Sequence, residues 1–223
     1  ASAGLALHPH WWRYRFIDRS GREISSFGPD ERPLIEITVK DHRDDPDSDQ
    51  VPPVQVPQEM PPIGWRLGLD LHPLDPGRAS DATWLRTLIW PGQTTRLHRL
   101  EAALEAAHHD PVRVLPRDLT TVGVLDEVLA LVPTEYLPVV MHGAVLAYVE
   151  ETQRAAFATT MQDAVAAGRV HWISNEGSPV VPQISQAIDE RPAFAQRLRP
   201  GAFVVALNGR PRYQADGHAD WLL

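Results

Sequence analysis

Cysteine is absent from the sequence, and its absence excludes several classes of chemistry at once. The chain cannot form disulfide bonds, hold zinc through thiolates or attack a substrate with a cysteine nucleophile. Long hydrophobic runs are absent as well, since no apolar stretch approaches the roughly 20 residues that span a bilayer. A signal peptide with a basic start and an apolar middle is also missing, so we predict a cytoplasmic protein with no membrane partner.

Positive charge is in short supply. Lysine and arginine total 21 against 29 aspartate and glutamate residues, which gives a formal net charge of -8. A chain with this balance has no overall basic field to attract nucleic acid, so we predict no nucleic-acid partner. Its 223 residues, 43% of them hydrophobic, suffice for one domain with a full core. We expect a single domain over residues 1–223, with the oligomeric state left open.

Small residues open the chain, where Ala1–Gly4 precede Leu5. Small side chains let a backbone approach a ligand closely, and the start of a helix offers unpaired N–H groups to an anion. A tight turn into a short helix explains the same residues. Because the chain starts without methionine and without a preceding strand, we expect a fragment of a longer protein that folds poorly by itself.

Residues 13–62 are irregular in pattern. Trp12–Ile17 and Leu34–Val39 alternate in polarity, which predicts two strands of a hairpin with one solvent-exposed face. Five of the nine residues in Asp41–Asp49 are aspartates, and proline recurs through Val51–Pro62. The acidic run lacks the ligand spacing and the glutamate of a calcium loop, so we predict a solvated loop followed by an extended linker.

From residue 63 onward, predicted strands alternate with predicted helices. The strands are Ile63–Leu71, Val112–Leu115, Leu137–Met141, Arg169–Ile173 and Phe203–Leu207. The helices cover residues 80–89, 94–108, 124–131 and 150–167, and a loop with a short helix lies around residues 181–197. The first strand is a continuous apolar run, which predicts burial on both faces. The alternation predicts an α/β fold with a doubly wound, mostly parallel sheet over residues 63–223, and residues 13–62 as a β-hairpin and proline-rich insertion.

Polar side chains follow the first of these strands. Asp70 lies at its end, and His72 and Asp75 come directly after it. Ligands of open parallel sheets bind beyond the carboxyl ends of the strands, which makes these three residues candidates for a binding site. His72 and Asp75 are an acid–base pair in one interpretation, because a histidine held by a carboxylate titrates near neutrality. In the other interpretation Asp75 caps a turn and His72 fills a loop contact.

Two further candidates follow later strands. The ring of His142 can project past the sheet edge as a general base, or it can bond a backbone carbonyl. Glu176, next to Asn175, is either a catalytic carboxylate or a cap for the next turn. We predict no metal site, because the adjacent His108 and His109 cannot both face one ion from a helix.

Several motifs together resemble one bacterial family. ASAGL, GLDLHPLD, WPGQ, HGAVLAY and HWISNEG occur in this order over nearly the whole chain. In combination they resemble an uncharacterised family catalogued only as domain of unknown function 2332. That family is itself similar to the Rossmann-like methyltransferases that use S-adenosylmethionine. The second resemblance implies S-adenosylmethionine as the cofactor and transfer of its methyl group to a small molecule.

The same resemblance implies a role for each strand end. Asp70 would accept hydrogen bonds from the ribose hydroxyls, and Asp118 would face the adenine amino group. The site residues are then Ser2, Gly4, Asp70 and Asp118 for the cofactor, His72, Asp75 and Asn175 for the substrate, and His142 and Glu176 for catalysis. A catalytically inactive scaffold of the same fold is the alternative, in which the proline-rich insertion and Trp11–Trp12 bind a protein partner.

Overall fold

The computed structural model describes residues 8–40, 54–217 and 220–223. The chain divides into two compact units. The first unit comprises the described parts of Ala1–Arg15, Ser25–Ile35 and Pro57–Val124, and the second those of Phe16–Ile24, Glu36–Val56 and Leu125–Leu223. Ser2 and Gly4 of the predicted cofactor loop, the acidic run Asp41–Asp49 and the start of the predicted linker lie outside the described residues.

Short strands and helices follow one another along the described chain. The strands are β1 (Arg13–Ile17), β2 (Glu23–Phe27), β3 (Leu34–Val39), β4 (Gly68–Asp70), β5 (Val114–Pro116), β6 (Val139–Gly143), β7 (His171–Gly177), β8 (Phe203–Leu207), β9 (Arg210–Ala215) and β10 (Trp221–Leu222). The α-helices are α1 (Ala79–Thr87), α2 (Thr94–His109), α3 (Val124–Leu129), α4 (Glu151–Ala166), α5 (Pro182–Asp189) and α6 (Pro192–Arg197). A strand therefore lies at every predicted strand position, while β2, β9 and β10 were not predicted.

Eight of these strands form one mixed sheet in the order β2-β1-β3-β10-β9-β8-β7-β6. β6 runs parallel to β7, whereas β8 is antiparallel to both β7 and β9. β10 is antiparallel to β9 and parallel to β3. β4 and β5 form a separate parallel pair. The predicted doubly wound, mostly parallel sheet of Rossmann-like methyltransferase type is therefore wrong, because the α/β fold has a large sheet of mixed direction.

A two-residue turn explains part of this difference. Asn208 and Gly209 join β8 to β9 with φ values of 53° and 76°. Two consecutive positive φ values are what a type I′ turn requires, and this turn sends the chain back antiparallel to itself. The prediction took β8 as the last strand and missed the hairpin, although an Asn-Gly pair is a strong hairpin signal.

Strands from residues 13–62 belong to the large sheet instead of forming an insertion. β3 pairs in parallel with the end of the chain, where Thr38 lies opposite Trp221 and Val39 opposite Leu222. The N–H of Lys40 extends this pairing with a 2.7 Å hydrogen bond to the carbonyl of Leu222. A pairing between segments so distant in sequence leaves no trace in local periodicity, and the prediction therefore missed it.

The first unit contains the β4–β5 pair together with α1 and α2. Arg86 on α1 donates hydrogen bonds of 2.6 and 2.7 Å to the carboxylate of Glu101 on α2. β4 covers only three residues of the predicted strand, and Leu69 and Leu71 are 37% and 59% exposed. The predicted burial of this strand on both faces is therefore wrong. Within the described ranges, no helix is long and apolar enough to cross a membrane.

The core of the second unit lies between α4 and the strands β7 and β8. Trp172, Met161 and Val204 are each at most 2% exposed. α4 confirms the predicted helix over residues 150–167, and Gly168 with φ of 67° follows its end, as expected for a helix terminus. Along β7 the buried positions alternate and include Ser174 and Glu176. A buried face with polar side chains needs internal hydrogen-bond partners, and these define the candidate site.

Candidate functional site

The β4–β5 pair brings two carboxylates to one edge of the first unit. Asp70 lies opposite Pro116 in the parallel register, and the N–H of Arg117 donates to the carbonyl of Asp70 at 3.0 Å. Asp118 follows two residues after β5 ends. Since parallel strands have their carboxyl ends at the same edge, Asp70 and Asp118 lie at neighbouring strand ends, as the sequence analysis expected. Their roles toward a ligand stay predictions.

Each of these carboxylates is held by a short turn. Oδ1 of Asp70 accepts a 2.9 Å hydrogen bond from the N–H of His72. Oδ1 of Asp118 accepts two bonds from Thr120, one from the hydroxyl at 2.7 Å and one from the N–H at 2.8 Å. The Thr120 hydroxyl and then its N–H hold the pKa of Asp118 below its usual range. The carboxylate of Asp118 is therefore an ionised acceptor at neutral pH.

His72 and Asp75 are not joined to each other. Oδ1 of Asp75 accepts a 2.9 Å hydrogen bond from the N–H of Gly77, and the N–H of Asp75 donates to Oδ2 of Asp81 at 3.0 Å. His72 is exposed, and in the described part of the chain its side chain makes no hydrogen bond to Asp75. These contacts match the interpretation in which Asp75 caps a turn.

A second polar cluster lies on the buried face of β6 and β7. Nδ1 of His142 is 2.9 Å from Oε1 of Glu176, and the two side chains are 9% and 2% exposed. The same Oε1 accepts hydrogen bonds of 3.1 Å from the N–H groups of Val145 and Leu146. The structure therefore brings together the two residues that were predicted as catalytic, and it anchors the loop after β6 to Glu176.

Trp172 determines which nitrogen of His142 carries the proton. Its indole N–H donates to Nε2 of His142 at 3.0 Å. Because an indole N–H can only donate, Nε2 must present a lone pair, and the neutral ring then carries its proton on Nδ1 and donates it to Glu176. Both ring nitrogens are thus engaged inside the protein. A general-base role for His142 requires opening the Trp172 hydrogen bond.

Phe157 of α4 encloses this cluster. Its ring centroid is 5.5 Å from that of His142 and 6.4 Å from that of Trp172, with interplanar angles of 81° and 83°. This edge-to-face packing places an apolar ring beside the hydrogen-bonded pair of His142 and Glu176. Neither aromatic residue was among the predicted site residues. Strand alternation in HWISNEG, which places Trp172 and Glu176 on one face, was an available signal for Trp172.

Three acceptor oxygens near the end of β7 are buried without a hydrogen-bond partner among the described residues. They are Oγ of Ser174, Oδ1 of Asn175 and Oε2 of Glu176. The backbone carbonyl of Asn175 is engaged, because it accepts a 3.0 Å hydrogen bond from Ala144, whose φ is 53°. Buried acceptors of this kind are commonly satisfied by internal water. The predicted substrate residue Asn175 therefore presents an unsatisfied oxygen.

The two clusters belong to different sheets and to different units. Asp70 and Asp118 follow strands of the two-stranded sheet, whereas His142, Asn175 and Glu176 lie within strands of the eight-stranded sheet. The expectation that all of them line one edge of a single parallel sheet is therefore wrong. Over residues 8–40, 54–217 and 220–223, no group of three or more histidine and carboxylate side chains is arranged to hold a metal ion.

The fold and the site define an α/β protein built on a mixed sheet, with a buried histidine–glutamate pair. Residues 1–222 match the family described as "Uncharacterized protein conserved in bacteria (DUF2332)", and the chain belongs to that family. Neither a curated protein nor a solved structure matches the chain. Membership confirms the resemblance carried by the five sequence motifs, and the family description assigns no activity.

Proposed function

We propose that the protein binds an adenosine-containing cofactor, with S-adenosylmethionine as the candidate, at the edge formed by the ends of β4 and β5. One relationship supports this, namely the parallel register that sets Asp70 opposite Pro116 and brings Asp118 to the same edge. Carboxylates accept hydrogen bonds from ribose hydroxyls and from an adenine amino group. The two carboxylates fit adenosine because adenosine presents both kinds of donor.

The proposed activity is methyl transfer to a small molecule. When bound, S-adenosylmethionine supplies an electrophilic methyl group. Asp70 and Asp118 orient its adenosine portion, and the lowered pKa of Asp118 keeps that acceptor charged. Catalysis rests on positioning a substrate that carries its own nucleophile, because Trp172 and Glu176 occupy the nitrogens of His142.

Thermal unfolding with S-adenosylhomocysteine and with adenosine tests this proposal. Ligand at a hundred times its dissociation constant adds about 2.7 kcal/mol to stability, so we expect a rise of several degrees in Tm. Asp70→Asn and Asp118→Asn keep the oxygen that each turn needs but remove the charge, and each should lose most of the shift. Asp163→Asn, on the exposed side of α4, is the matched control and should keep it.

Two outcomes would contradict the proposal. Folded wild-type protein that shows no shift with either compound would contradict cofactor binding itself. A shift that survives in both asparagine variants would contradict the site, because neither carboxylate would then contribute to binding.

A protein-interaction role is a second proposal, supported by exposed apolar side chains at the end of α1. Trp84, Leu88 and Trp90 are 56%, 53% and 75% exposed, and exposed aromatic residues are typical of interfaces. The expected Trp11–Trp12 surface does not supply this patch, since Trp12 is 1% exposed. This proposal predicts that Trp90→Ser removes the cellular function and Asp70→Asn preserves it, whereas the cofactor proposal predicts the reverse.

A further inference from the structure

Two cationic side chains pack against one tryptophan at the end of the chain. Nζ of Lys40 lies 3.9 Å from the ring centroid of Trp221, and Cζ of Arg199 lies 5.6 Å from it. Lys40 is the only lysine of the chain, and the net charge of the chain is -8. The local positive charge beside Trp221 is therefore opposite in sign to the net charge.

Hydrogen bonds fix the main chain at both of these residues. Lys40 directly follows β3, and its N–H donates to the carbonyl of Leu222 at 2.7 Å. The side chain of Gln214, 2% exposed, accepts a 2.9 Å bond from the N–H of Arg199 and donates another of 2.9 Å to the carbonyl of Arg197. The main chain is therefore fixed at Lys40 and at Arg199, and both side chains extend from fixed positions to Trp221.

The charges in this cluster are incompletely balanced. Burial, followed by repulsion from Arg199, lowers the pKa of Lys40; Asp216 opposes the shift, and Arg19 adds to it. Oδ1 of Asp216 already accepts a 2.8 Å hydrogen bond from the N–H of Asp220. Within the described ranges, neither Lys40 nor Arg199 forms an ion pair or a hydrogen bond between its side chain and a carboxylate. An anion placed among them would relieve their mutual repulsion.

We propose that Lys40 and Arg199 bind a phosphate group beside Trp221. An ammonium supplies a compact positive charge, and guanidinium groups supply planar pairs of N–H donors that match phosphate oxygens. Inorganic phosphate and a phosphate monoester on a larger molecule share this chemistry, and the experiment below separates them. The site lies in the second unit and does not depend on the proposed cofactor site.

Calorimetric titration with sodium phosphate and with phenyl phosphate, at constant ionic strength maintained with chloride, tests the proposal. Lys40→Gln and Arg199→Gln should each weaken binding about tenfold or more, the loss expected when one charge-assisted hydrogen bond is removed. Lys40→Arg keeps the charge and should retain binding. Arg210→Gln removes an exposed cation from β9 in the same unit and should leave the dissociation constant unchanged.

The single lysine supplies an independent readout. Acetylation of Lys40 by an amine-reactive ester can be followed by mass spectrometry, and bound phosphate should slow it several-fold in the wild type but not in Arg199→Gln. Tighter binding of phenyl phosphate would identify a phosphate monoester as the ligand, and equal binding would identify phosphate alone. Folded wild-type protein that shows neither heat nor protection with either probe would overturn the proposal.

Discussion

The indole N–H of Trp172 donates a 3.0 Å hydrogen bond to Nε2 of His142, and this contact decides what the histidine can do. The other ring nitrogen lies 2.9 Å from Glu176, so the neutral imidazole carries its proton on Nδ1. Glu176 in turn binds the N–H groups of Val145 and Leu146. The cluster therefore ties the loop after β6 to β7, and its stabilising role can be measured.

Trp172→Phe should destabilise the second unit and alter the histidine. The variant keeps an aromatic ring against Phe157 but leaves the buried Nε2 without a donor and opens a small cavity, so we expect a loss of at least about 2 kcal/mol in urea unfolding. Nitrogen-15 NMR of the wild type should show His142 as the Nδ1–H tautomer. A wild-type ring protonated on Nε2 would contradict the assignment.

Glu176→Ala and Asn175→Ala form a matched pair of neighbouring substitutions. Loss of Glu176 removes the partner of His142 and of two backbone N–H groups, those of Val145 and the buried Leu146, so we expect the free energy of unfolding to fall by about 3 kcal/mol or more. The side-chain oxygen of Asn175 makes no hydrogen bond to the described residues, and its loss should cost less than about 1 kcal/mol. If chemical denaturation gave the same loss of unfolding free energy for both variants, Glu176 would not anchor the loop.

Gly28→Ala should be far more damaging than Gly21→Ala. Both glycines have positive φ, 96° and 85°, so alanine is strained at either position by about 1–2 kcal/mol. A Cβ at Gly28 would also lie 2.4 Å from the carbonyl oxygen of Trp12, whereas nothing lies within 4 Å of one at Gly21. Thermal unfolding should give a Tm several degrees lower for Gly28→Ala than for Gly21→Ala. Similar midpoints would contradict the close approach at Gly28.

Arg66→Gln should reduce stability in a pH-dependent way. Nη2 of Arg66 lies 2.9 and 2.8 Å from the two carboxylate oxygens of Asp110, and this bond is the main cause that lowers the pKa of Asp110 from 3.8. A carboxyl group whose pKa is lower in the folded chain than in the unfolded chain stabilises the fold. This stabilisation is complete above the unfolded-state pKa, and it is lost as the pH falls through the folded-state pKa. At pH 6 the free energy of unfolding of the wild type should therefore exceed that of the variant by about 1 kcal/mol.

The difference between wild type and Arg66→Gln should shrink as the pH is lowered below 3.8, where Asp110 becomes protonated. Unfolding midpoints at pH 6, 4 and 3 measure this trend. Arg113→Gln, at an exposed position of the same unit, is the control and should show no such trend. A constant difference between wild type and Arg66→Gln would assign the loss to packing of the arginine side chain.

Local periodicity was sufficient for the long helices and for most strand positions. The predicted helix over residues 94–108 is α2, Thr94–His109, because apolar residues recur at helical spacing within one continuous segment. Periodicity gave no information about strand direction. The Asn208-Gly209 pair did indicate that β8 and β9 run antiparallel, and the prediction of a mostly parallel sheet overlooked this signal.

The sequence by itself determined that Asp70 and Asp118 lie at the ends of short strands, since each follows an apolar run closed by turn residues. It also determined the family, through motifs that extend over nearly the whole chain. Only the tertiary structure decided that Trp172 occupies the free nitrogen of His142, and that Lys40, Arg199 and Trp221 meet. These contacts depend on the register of β6 with β7 and of β3 with β10, which is set by packing between segments distant in the chain.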